Sequence, residues 1–187
     1  MRAAFDPNRH VLSVTKGWAF EQLYTCYRWQ GDSHENGFRN MTRLEQRLRL
    51  RSRMTGKDIL AVAAWGRLPG RRARLVSGPV DIGALDAKAA GNAASLIRDV
   101  KQKIRGFGLA FTSKLLRFYD PVRFGVLDSV LARSWPALGL QVCSGARGSY
   151  VPATMEAFKS YATWVTTLAC IASRLNAAHR TCPHPPV

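Results

Sequence analysis

Hydrophobic positions recur at three- and four-residue spacing through most of this chain, and no stretch alternates apolar with polar residues long enough for an obvious strand. Trp18, Phe20, Leu23, Tyr24 and Tyr27 predict an amphipathic helix over 18–29, and Gly31 to Gly37 reads as a polar loop. Met41, Leu44, Leu48 and Leu50 give a partial helix face over 39–53. Ile59 to Trp65 is a short apolar helix that Thr55 or Gly56 can cap and that Leu68-Pro69-Gly70 ends. Residues 81–103 read as one or two helices interrupted near Gly91-Asn92. Leu109 to Tyr119 is apolar around most of its circumference, which marks a central, buried helix. Asp120-Pro121 ends it, because a residue before proline is pushed out of the helical region. Asp128-Ser129 opens another helix, Gly139 to Pro152 reads as a loop, and 155–177 is the last strong helix. The expectation is an all-α fold of seven or eight helices. It forms one helical domain over 1–176, which two lobes with the site between them could make up, and 177–187 is a disordered tail.

Composition adds a partner. The chain has 187 residues, 47% of them hydrophobic, enough for one real core. Its formal charge is +16, and 21 of its 28 basic residues are arginine. Arginine grips phosphate with two parallel hydrogen bonds and stacks on bases, so the balance points to a polyanion, with DNA as the expected partner. Arg39, Arg43, Arg47, Arg49, Arg51 and Arg53 form one cluster and Arg71, Arg72 and Arg74 a second; each is either a solvated face or a phosphate-tracking surface. The longest apolar run is too short to span a bilayer, so no membrane partner is expected. Cys26, Cys143, Cys170 and Cys182 are scattered without a C-x-x-C pair, which speaks against zinc and iron–sulfur sites and for a reducing compartment. With no apolar leader visible, the expectation is a cytoplasmic monomer without a cofactor.

The chemistry concentrates in RGFGLAFTSKLLRFYDPVRFGVLDSVLAR, residues 105–133. Gly106-Phe107-Gly108 is a tight hairpin whose backbone can approach a ligand, and a helix starting there offers free amides to a phosphate. Lys101, Lys103 and Arg105 add charge beside it. Lys114 lies among apolar residues with Arg117 one turn away, which predicts a lowered pKa and a nucleophilic amine, or else a lysine that snorkels to solvent. Asp128 is either a plain N-cap or a cap that also works as a catalytic carboxylate; Asp120, before Pro121, reads as structural. Phe107, Phe111, Tyr119 and Trp135 are candidates for stacking on bases, though each reads first as core.

This stretch resembles the helix-hairpin-helix superfamily of DNA glycosylases, and most closely its 8-oxoguanine glycosylase branch. The family's hairpin is matched by Arg105-Gly106-Phe107-Gly108, and its downstream aspartate, small residue and arginine by Asp128, Ser129 and Arg133. DILAVAAWGRLPG is similar to a helix the family carries upstream, so the resemblance covers roughly residues 55–135. It implies base excision from DNA: the hairpin holding a phosphate, Asp128 acting at the glycosidic bond, and Arg133 among the DNA contacts. Family members that also cleave the strand carry a lysine at the position of Ala110; here the lysine is Lys114, one turn and about 5 Å further along. No iron–sulfur cofactor is implied. The implied substrate is an oxidised purine, or a bulky modified base of phage DNA if the chain serves phage defence rather than repair. Two other readings fit the residues: a non-catalytic helix-hairpin-helix DNA binder, and a basic helical interaction protein indifferent to nucleic acid.

Overall fold

The computed structural model describes residues 38–49, 51–66, 68, 73–145 and 148–181. The helix expected over 18–29 and the arginines at 71 and 72 lie outside these residues. Helix α1 (Phe38–Arg49) turns Leu44 and Leu48 into the core. A two-residue strand, β1 (Arg53–Met54), leads to α2 (Gly56–Trp65). The start of α2 is fixed by Asp58, whose Oδ2 accepts from the Thr55 amide at 2.9 Å and from its hydroxyl at 2.8 Å. Asp58 is 1% exposed, and Arg51 meets its charge at 3.1 Å.

Strands β2 (Arg74–Leu75) and β3 (Val80–Asp81) precede α3 (Ile82–Ala89), which Asp81 caps by accepting from the Ala84 amide at 2.8 Å. Ala90 and Gly91 take positive φ, 48° and 77°, and break the helix; Asn92 then caps α4 (Ala93–Lys103) through the amides of Ala94 and Ser95. The break thus falls where Gly91-Asn92 placed it. Strand β4 (Ile104–Arg105) follows and pairs antiparallel with β2, as β1 does with β3.

Helix α5 (Leu109–Tyr119) is the hub, with α1, α2 and α4 packed around it. Leu109, Leu115 and Leu116 are fully buried, Phe118 nearly so, and even Thr112 and Ser113 are excluded from solvent. An apolar circumference demands this kind of surround. After α6 (Ser129–Ser134) come a 3₁₀ turn, Pro136–Leu138, and a hairpin of β5 (Cys143–Gly145) and β6 (Gly148–Tyr150). The last helix, α7 (Met155–Thr181), packs most extensively against α4.

The described chain is mostly helical, as the hydrophobic spacing required, with seven α-helices among the described residues. Two features differ from the sequence expectation. Three antiparallel ribbons are present, with strands of two or three residues. Such strands are too short for a period of two to show in sequence. Helix α7 also continues to Thr181, five residues into the stretch read as a disordered tail. No helix among the described residues is long and apolar enough to cross a membrane.

Candidate functional site

Lys114 projects from α5 into a wall of aromatic rings. Its Nζ lies 4.9 Å from the centroid of Phe111 and 5.7 Å from that of Trp65. Phe111 is held close by Gly66, where an added Cβ would come within 2.4 Å of the ring. Trp65 stands edge-on to Phe118 at 5.0 Å. Burial in these surroundings lowers the pKa of Lys114, and the charge of Asp128 works in the opposite direction. Arg117, expected to help lower it, donates instead to Glu45 Oε2 at 2.7 Å. Burial, not a cationic neighbour, is therefore the cause.

The charge of Asp128 acts on this lysine, and the chain before Asp128 is strapped down residue by residue. Tyr161 of α7 donates to the Gly125 carbonyl at 3.2 Å, and Trp164 Nε1 to the Val126 carbonyl at 2.9 Å. Ser113, buried in α5, accepts from the Leu127 amide at 2.9 Å, and its Oγ lies 3.1 Å from the Leu127 carbonyl. Ser113 precedes Lys114 and Leu127 precedes Asp128, so this contact ties the two segments together and leaves the Asp128 charge within range of the lysine. Asp128 Oδ1 accepts from the Val130 and Leu131 amides at 3.0 and 2.9 Å, capping α6. Those bonds leave Oδ2 to face other partners. No direct ion pair joins Asp128 to Lys114 among the described residues. Asp120, the rival carboxylate, is structural: its Oδ1 accepts from the amides of Val122 and Arg123.

At the other end of α5 the glycine pair forms a tight turn. Gly106 has φ 88°, which only glycine adopts without strain. Gly108 caps α5 without any side chain, and a Cβ there would meet nothing within 4 Å. The first amides of α5 have no intrahelical acceptor. Lys103, Arg105 and Arg133 are exposed and Lys101 is half-buried, none in an ion pair among the described residues. Phe107 is 3% exposed, its ring 5.4 Å from Phe111. Its ring is core, and what it can offer a ligand comes from its backbone alone. Trp135 likewise packs edge-on against Trp164, at 5.1 Å. Six residues of helix separate Gly108 from Lys114, a rise of about 9 Å.

The structure thus places Asp128 where its charge acts on Lys114 without a direct ion pair, and sets the glycine turn at the N-terminal end of the same helix. The sequence reading missed Ser113, Tyr161 and Trp164, the groups that place Asp128. Ser113 carried the one available signal, a small polar residue inside an apolar helix. Among the described residues no three His, Cys, Asp or Glu side chains gather where they could hold a metal ion. Compared with protein-family models, with curated proteins and with solved structures, the chain matches none.

Proposed function

We propose that this chain is a DNA glycosylase that excises a damaged or modified base. The observation that carries the reading is Lys114, walled by Phe111 and Trp65, with its pKa lowered and within the field of Asp128, on the helix that the glycine turn begins. Paired groups with opposed charge and reduced hydration suit chemistry at a bond that ionises as it breaks.

The target nucleotide is rotated out of the duplex so that its glycosidic bond reaches the site. As the C1′–N bond breaks, the base leaves with the bonding electrons and takes up a proton, and positive charge builds on the sugar. The Asp128 carboxylate stabilises that charge. It also accepts a proton from the water whose oxygen then bonds to C1′. In its neutral form, the Lys114 amine is the alternative nucleophile: its nitrogen bonds to C1′ in place of water, and loss of a proton with ring opening gives an imine. The turn amides with Lys101, Lys103 and Arg105 hold the DNA backbone, and Arg133 adds a contact from α6.

Incubating the protein with undamaged DNA, oxidised-guanine DNA and phage DNA carrying modified cytosines, then measuring free bases by mass spectrometry, tests this. Asp128→Asn keeps the cap, since Asn caps as well as Asp. It is expected to slow release by about a hundredfold or more. Borohydride trapping on DNA is expected to vanish in Lys114→Ala. Release that is unchanged in Asp128→Asn removes Asp128 from the chemistry, and release absent from every DNA despite tight binding favours a second reading. In that reading the chain is a non-catalytic DNA binder and Asp128 is only the α6 cap that its two amide bonds make it.

A further inference from the structure

We propose that the β2–β4 ribbon is an arginine clamp that seats one backbone phosphate of duplex DNA between Arg74 and Arg105. The proposal rests on the DNA reading above and adds a contact to it. In this ribbon Arg74 is the cross-strand partner of Arg105, and Leu75 of Ile104. Ile104 is 2% exposed and Leu75 packs against the core. Successive strand residues point to opposite faces, so burying one pair sends both arginines to the solvent face. There they stand directly opposite, with Cα atoms about 5 Å apart. Like charges so placed destabilise a ribbon.

Nothing in the described protein offsets that repulsion. Neither arginine has a carboxylate partner among the described residues, whereas Arg47, Arg51, Arg98, Arg117 and Arg123 all do. The neighbouring ribbon shows the ordinary arrangement, with Arg53 opposite Asp81. The β2–β4 pairing is extended by the Val76 amide, which donates to the Lys103 carbonyl at 2.9 Å, so the backbone holds the two arginine positions in register. An anion with several oxygens removes the repulsion and accepts from both forks at once. Arg105 runs directly into Gly106, so the clamp lies beside the turn proposed above to hold the DNA backbone.

Fluorescence anisotropy with a duplex, repeated over a range of salt concentrations, tests the clamp. Wild type, Arg74→Ala, Arg105→Ala, the double variant and Arg98→Ala are compared. If the two arginines share a phosphate, the double variant lowers the slope of log K against log salt by about 0.9, and each single variant lowers it by less, because the remaining arginine still neutralises that phosphate. Arg98→Ala keeps the wild-type slope. Without DNA at low salt, the single variants melt no lower than wild type, because each relieves the cross-strand repulsion. Inorganic phosphate competes no better than chloride of equal ionic strength if the ligand is a duplex phosphate and not a free anion. An unchanged slope in the double variant overturns the clamp, as do a fall of about 1.8 in the double variant, the sum for two separately neutralised phosphates, preferential competition by free phosphate, or melting that falls in the single variants. Arg74→Gln with Arg105→Gln repeats the comparison should the alanine pair fail to fold. Base release is scored separately: a wild type that binds but excises nothing refutes the glycosylase reading and leaves the slope comparison standing.

Discussion

At the scale of single residues, Lys114 carries a cost that its surroundings do not remove. Its partial burial beside Phe111 and Trp65 removes some of the water around its ammonium, and the attraction of Asp128 does not fully offset this, so its pKa sits below the ordinary 10.5. Between the folded pKa and that value the unfolded chain binds more protons than the folded one. Stability therefore rises with pH through this window, and below it the charged lysine destabilises the fold. Replacing Lys114 by Met keeps the volume and removes the charge. At neutral pH this variant is expected to melt higher than wild type, by about 2 °C. The gap should close as pH approaches 10.5, while base release falls. Differential scanning across pH decides it: a variant that melts lower at neutral pH would mean that the ring contacts and Asp128 outweigh the reduced hydration. By the same shift, borohydride trapping should rise with pH and level off below the ordinary lysine range.

At the scale of elements, the bounds of α5 and α6 were legible because their ends are written in local chemistry. Gly108, Asp120-Pro121 and Asp128 act on their immediate neighbours, and the structure starts or ends helices at each. The candidate lysine and aspartate were legible for the same reason. What joins them was not. The strap over 125–127 is made by Ser113, Tyr161 and Trp164, from fourteen to thirty-eight residues away, and no local pattern reports such contacts. The pairing of Arg117 with Glu45 spans seventy-two residues and was hidden likewise. The strap makes a prediction at Gly125, where an added Cβ would stand 2.1 Å from Leu168 Cδ1 and 3.1 Å from Trp164 Nε1. Gly125→Ala should push the strap off α7, weaken the Trp164 bond to Val126 and cost about 1–3 kcal/mol in chemical denaturation. Base release should fall further than the folded fraction does, since Asp128 moves with the strap. Adding Leu168→Ala should restore much of both. Failure of that rescue would locate the strain elsewhere.

For the whole molecule, the charge divides into two populations that sequence counts alike. Arg47 and Arg51 flank the buried Asp58, Arg117 bonds Glu45, and Arg123 bonds Asp86 and also meets Asp120. These arginines hold elements together, so part of the 39–53 cluster is already paired with carboxylates of the protein. Lys103, Arg105, Arg74 and Arg133 have no such partners among the described residues and remain open to an external anion. The two populations should separate cleanly under mutation. Arg51→Ala leaves the Asp58 carboxylate, 1% exposed, with the Thr55 bonds and a weaker approach from Arg47 at 3.9 Å. It should cost about 1–3 kcal/mol of stability and leave the salt dependence of DNA binding unchanged. Lys103→Ala should do the reverse: unfolding stays within about 0.5 kcal/mol of wild type, while the salt slope falls by about 0.9 because one fewer phosphate is neutralised. Chemical denaturation and anisotropy titrations on the two variants give the four numbers. A Lys103→Ala protein with the full wild-type slope would remove α4 from the DNA face. An Arg51→Ala protein with a reduced slope would put α1 on it, and the divide between structural and binding arginines would then run elsewhere than the ion pairs place it.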